Sequence, residues 1–145
     1  MELRVMTDAA RFFADSLNPL LIICLVGTGF ASRARFSIFK YWAACVLGIG
    51  AAVILAESGK YFVVWPGHPS FPSGHESFAI SASVGLAAAD RRWLWAVIPI
   101  CLLMAWSLVV AGYHHPIDVA GAAVIAPWPP LAVFRFLRRR SSTPL

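Results

Sequence analysis

The chain contains four histidines, and all four lie in two short polar stretches. His68 and His75 fall within "WPGHPSFPSGHESFAIS", residues 65–81, and His114 and His115 fall within "AGYHHPID", residues 111–118. Lys60 lies just upstream of the first stretch, and Asp118 closes the second, four residues after His114. An imidazole uses one ring nitrogen as a base or nucleophile when its other nitrogen holds the proton, and a carboxylate fixes that tautomer. Asp118 is placed for this: Pro116 favours a helix start, and positions four apart share a helix face. Its plainer role is that of an acid at the positive end of a helix dipole. Ser73, three residues before Glu76, has the spacing of a capping box. The start of that helix offers free backbone N–H groups to an anion. Lys60 adds a basic group, although a lysine there can equally snorkel at a membrane interface.

These polar stretches interrupt a chain that is 59% hydrophobic and only 13% charged, with a mean hydropathy of +0.72. Soluble domains carry about 25% charged residues. The apolar residues come in blocks, at about Ala14–Ala31, Phe36–Ala56, Glu76–Ala89, Trp93–Gly112 and Pro116–Leu137. A membrane-crossing helix needs about 20 apolar residues. The second, fourth and fifth blocks meet that length, and the first and third are marginal. The expected fold is therefore all-α: one membrane-embedded domain over residues 1–145, an integral membrane bundle of about five transmembrane helices. The "APWPP" run at residues 126–130 must kink or interrupt the fifth. Acidic residues and no clear cleavage site near the N-terminus argue against a removable signal peptide.

Charge supports five crossings. Arg33, Arg35, Lys40, Arg91, Arg92, Arg135, Arg138, Arg139 and Arg140 then share one face, leaving Arg4, Arg11 and Lys60 on the other. The positive-inside rule makes the first face cytoplasmic, with the N-terminus out and the C-terminus in. All four histidines then gather at the outer face with Lys60 and Asp118, where ionisable groups are functional candidates. Ala44, Gly48, Ala52 and Ala56 recur every four residues, as do Ser77, Ser81, Gly85 and Ala89. Such spacing lets helices approach closely in lipid, so blocks two and three are expected at the bundle's centre. Cys24, Cys45 and Cys101 lie in apolar runs and read as packing residues.

"PSGH" at Pro72–His75, followed by His114 and by Asp118 four residues on, resembles the type 2 phosphatidic acid phosphatase superfamily. The continuation "HHPIDVAGA" resembles that family's last helix, and the likeness covers residues 60–125. It implies His114 as nucleophile on phosphorus, Asp118 as its orienting partner and His75 as the acid for the leaving oxygen. Lys60, Ser73, Gly74 and His68 would bind the substrate's phosphate. The family's first motif, Lys, six residues, Arg-Pro, has Gly67 and His68 where Arg-Pro belongs. The third motif has Leu108 in place of its arginine. Both phosphate-clamping arginines are thus missing. The implied function is a membrane phosphatase acting on a lipid-linked phosphate or diphosphate through a phosphohistidine. The alternatives are head-group transfer from a phosphodiester and a non-catalytic lipid-binding relative. A bacterial inner membrane with a periplasmic site is the expected setting, with membrane lipids as surroundings. No cofactor or metal is expected, because the Gly and Pro positions match the phosphatase motifs better than a zinc site. No nucleic-acid motif is present, and "RFLRRR" reads as a topology anchor or anionic-lipid contact.

Overall fold

The computed structural model describes residues 2–31 and 37–141, the last three without side-chain detail. Arg33, Arg35 and the Arg139 and Arg140 side chains, counted in the charge argument, lie outside the described residues. The chain is all-helical: α1 Glu2–Ala31, α2 Ile38–Tyr61, α3 Gly74–Ala89, α4 Leu94–Val110, α5 Pro116–Ile125 and α6 Trp128–Ser141, with a 3-10 turn at Arg91–Trp93. Helix α1, α2, the 91–110 stretch and the α5–α6 stretch are long and apolar enough to cross a membrane. Helix α3, at 16 residues, is about 24 Å long and falls short of the roughly 30 Å hydrocarbon core.

Three boundaries differ from the sequence expectation. Helix α1 starts at Glu2, not near Ala14, because its buried stripe begins early: Ala10, Ala14, Leu17, Leu21, Leu25 and Thr28 recur at helical spacing. Helix α2 runs five residues past Ala56, which places Lys60 in its last turn. The fifth block is two helices. Helix α5 ends at Ile125 and α6 begins at Trp128, because the prolines at 127, 129 and 130 cannot continue the N–H ladder.

Helix α3 is the hub, packed against α1, α2, α4, α5 and α6, while α2 also packs along α6 and α1 along α4. The small-residue stripes explain this. Ala44, Gly48, Ala52 and Ala56 are all buried on α2, and Ser77, Ser81, Gly85 and Ala89 on α3. A Cβ at Gly48 would stand 2.6 Å from the Pro130 Cα, so the α2 stripe admits α6 as well as α3. Large side chains such as Ile23, Val46, Leu47, Ile54 and Leu102 face outward, as a lipid-facing surface requires. Where α5 breaks, the Ser81 hydroxyl donates to the Ala126 carbonyl at 3.0 Å, supplying a partner for a polar group that lipid would leave unpaired.

Candidate active site

The α4–α5 turn sets the histidine pair. Gly112 takes φ +77°, a left-handed conformation open to glycine. The Tyr113 and His114 N–H groups then fold back onto the Leu108 carbonyl at 3.0 and 3.2 Å. Helix α5 starts at Pro116, and Asp118 in its first turn is fully buried. Its Oδ2 accepts from the His115 N–H at 2.9 Å, so the helix-capping role is real. The same oxygen lies 3.5 Å from His114 Nδ1, a charge contact slightly too long and misaligned for a hydrogen bond, so Nδ1 has no hydrogen-bond partner among the described residues. With Nδ1 turned to the carboxylate, His114 Nε2 is left for chemistry.

The α2–α3 connection supplies the opposite wall. The Ser73 N–H donates to the Asp118 carbonyl at 2.9 Å, tying the two polar stretches together through backbone. The Ser73 hydroxyl accepts from the Glu76 N–H at 3.3 Å and caps α3. The expected return bond from Glu76 does not form, since Asp118 already holds the Ser73 N–H. The Glu76 carboxyl is buried on the α4–α5 side of α3, and its Oε2 has no hydrogen-bond partner among the described residues. His75, on the first turn of α3, is exposed, and its ring centre is 6.3 Å from that of His114. That spacing brings the two imidazoles to the border of one small site.

The remaining candidates gather around this pair. His68 Nδ1 lies 3.7 Å from Asp118 Oδ1, and the His68 ring meets that of His115 edge-on at 5.4 Å. A Cβ at Gly74 would stand 3.3 Å from Lys60 Nζ and 2.8 Å from Glu57 Oε1, so the start of α3 sits directly beneath both side chains. Lys60 is paired with Glu57 at 2.7 Å. Leu108, where the resemblance expects an arginine, is fully buried in the apolar cluster of the bundle. No group of three or more His, Cys, Asp or Glu among the described residues could hold a metal ion.

Electrostatics favour a neutral His114 ring. Burial pushes the His114 pKa below its usual value. Asp118 opposes that shift, while the charges of Lys60 and His75 add to it.

Two site neighbours were not singled out by sequence reasoning. Asn18 on α1 donates through Nδ2 to the His75 carbonyl at 3.3 Å; an amide within an apolar block was the available signal. Glu57 precedes Lys60 by three residues, a pairing distance that shows only once α2 is known to reach Tyr61.

Comparison with known proteins gives the family. The family model described as "PAP2 superfamily" matches residues 52–141. The chain belongs to the PAP2 superfamily. Undecaprenyl-diphosphatase BcrC of Bacillus subtilis is 34% identical over 67 residues, covering 46% of this chain and 35% of that protein. An undecaprenyl-diphosphatase of Sulfolobus acidocaldarius is 26% identical over 100 residues, covering 57% of this chain and 48% of its own length. The chain thus spans half or less of the curated relatives it matches. No solved structure matches. With its apolar helices, this membership makes the chain an integral membrane protein of a lipid-phosphatase family.

Proposed function

We propose that this chain is a membrane phosphatase that cleaves a lipid-linked phosphate or diphosphate through a phosphohistidine at His114. The observation that carries the reading is the line Asp118–His114–gap–His75, with its 3.5 Å and 6.3 Å spacings. His114 Nε2 attacks the terminal phosphorus, and the bond from phosphorus to the leaving oxygen breaks. The His75 imidazolium gives that oxygen its proton. The now neutral His75 takes a proton from water, whose oxygen attacks phosphorus and frees His114. Asp118 holds the His114 tautomer and stabilises positive charge on its ring. The α3 start at Gly74 and the Lys60 ammonium face the phosphate oxygens. The names of the two relatives support a polyprenyl diphosphate as substrate.

A second reading, transfer of a head group from a singly charged diester, draws on two features. The charge of Lys60 is shared with Glu57, and Leu108 presents no guanidinium to the site. Lysine gives only a point charge where arginine gives a bidentate clamp.

The test is acid-sensitive, alkali-stable labelling of the protein by a lipid diphosphate carrying labelled phosphorus, in wild type and His114→Ala. Label and turnover should both vanish in the variant, and His75→Ala should slow turnover by about 10²–10⁴-fold. Full activity in His114→Ala, or loss of wild-type activity with a chelator, would refute the mechanism. Cysteine labelling at Ser70 and Ser142, the latter outside the described residues, tests whether the histidine end faces the periplasm.

A further inference from the structure

A groove of about 490 Å³ runs between α3, α4 and α5, within the roughly 300–1,000 Å³ of ligand sites. Its walls are almost wholly apolar and built on small residues, among them Ala87, Ala105, Ala120 and Ala123. Ile98 and Leu102 on its α4 edge and Ala120 and Ala123 on its α5 edge are exposed, so the groove opens sideways toward lipid. At one end lie Glu76, Pro116 and Val119. These are chain neighbours of His75, His115 and Asp118, so the groove begins where the candidate site ends. From Glu76 it follows α3 to Ala87, about 16 Å at the helical rise.

Glu76 is the feature that a packing role does not explain. It is 2% exposed, and its Oε2 lacks a hydrogen-bond partner among the described residues in otherwise apolar surroundings. A buried carboxyl oxygen without a partner costs stability. A second apolar groove, about 510 Å³ between α1 and α2 and lined by Trp42 and Phe78, holds no carboxyl group, its buried unpartnered polar atom being the Trp42 indole Nε1, and it touches none of the site residues.

Resting on the phosphatase reading, we infer that the α3–α4–α5 groove receives the apolar chain of the lipid substrate, with Glu76 at the junction of chain and head group. The chain lies along Ile80, Val84 and Ala123, which orients the terminal phosphate toward His75 and His114. The Glu76 carboxyl, carrying its proton, donates to the oxygen that joins chain to phosphate. Chain length is then read by this groove, and the phosphate by the histidines.

The experiment uses Ala120→Trp and Ala123→Trp, which fill the groove from its exposed edge, with Val46→Trp in the α1–α2 groove as control. Each is assayed on a long-chain polyprenyl diphosphate and on the water-soluble p-nitrophenyl phosphate. The groove variants should lose about tenfold or more in kcat/KM for the long-chain lipid, the effect of roughly two methylene groups unburied. They should stay within about twofold of wild type on the soluble ester, and Val46→Trp should alter neither. Equal losses on both substrates, or a larger effect from Val46→Trp, would overturn the inference. Wild-type protein that cleaves neither substrate would refute the phosphatase reading instead. The groove would still be tested by a photoreactive benzophenone residue at Ala123. Crosslinking to the lipid diphosphate that excess unlabelled lipid suppresses supports the groove, and its absence refutes it.

Discussion

Replacing Glu57 by glutamine is the sharpest probe of how this site handles charge. Lys60 Nζ lies 2.7 Å from Glu57 Oε1, and a phosphate oxygen bound to the same ammonium would lie about 2.8 Å beyond it. The carboxylate and the phosphate are then about 5.5 Å apart across the lysine. Glu57 is more than half exposed, so the dielectric of water applies. One negative charge facing two at that distance costs about 1.5 kcal/mol, or roughly tenfold in rate constant. A singly charged diester suffers about half of that, roughly threefold. Screening at 0.1 M salt lowers the larger figure to about 0.9 kcal/mol, roughly fourfold. Glu57→Gln is therefore expected to raise kcat/KM for a doubly charged monoester about tenfold at low salt, and for a diester about threefold. The gain should shrink as salt is added. The assay is product formation at two ionic strengths, read as phosphate from the monoester and as the freed alcohol from the diester. A fall in kcat/KM toward that of Lys60→Ala would show that Glu57 holds Lys60 in place for the substrate. Equal gains on both substrates would also refute the reasoning.

Three further outcomes follow from the same geometry. Asp118→Asn keeps an oxygen for the His115 N–H and loses the charge beside His114, so kcat should fall by the 1.5–3 kcal/mol of a charged hydrogen bond, about ten- to hundredfold. The proposed mechanism needs neutral His114, whose pKa lies below its usual value chiefly through burial. The acid limb of kcat/KM should thus fall below the ordinary histidine range near pH 6.5, and Asp118→Asn, removing a group that raises that pKa, should move it lower still. Gly48→Val drives a side chain into Pro130 and should cost about 1–3 kcal/mol, read as a lower Tm in detergent, while Gly50→Ala, mid-helix with nothing within 4 Å, should not lower Tm and should raise it slightly.

The helices and the histidine set were legible in the sequence because lipid imposes long apolar runs and makes each polar residue conspicuous. The break at "APWPP" was readable for the same local reason, proline chemistry. What the sequence hid was orientation. Nothing in Ser73–Glu76 shows that the Ser73 N–H is taken by the Asp118 carbonyl, and that bond is why Glu76 turns away from its cap. Leu108 could be counted as a missing arginine, but only its packing shows that Leu108→Arg would force a guanidinium into the apolar cluster. The early start of α1 was obscured by Arg4, Asp8 and Arg11, which share that stretch with the first residues of its buried stripe.

The bond from the Ser73 N–H to the Asp118 carbonyl also bears on biogenesis. Helix α3 is short, carries a buried glutamate and several serines, and leaves the ribosome well before α5. Until α5 follows, the residues around Ser73 lack their carbonyl partner, and His75 has no His114 opposite it. The first four helices alone therefore hold half of each functional pair. Under the proposed mechanism competence arrives only once α5 has followed α4, so a chain stalled after α4 would occupy the membrane without turnover.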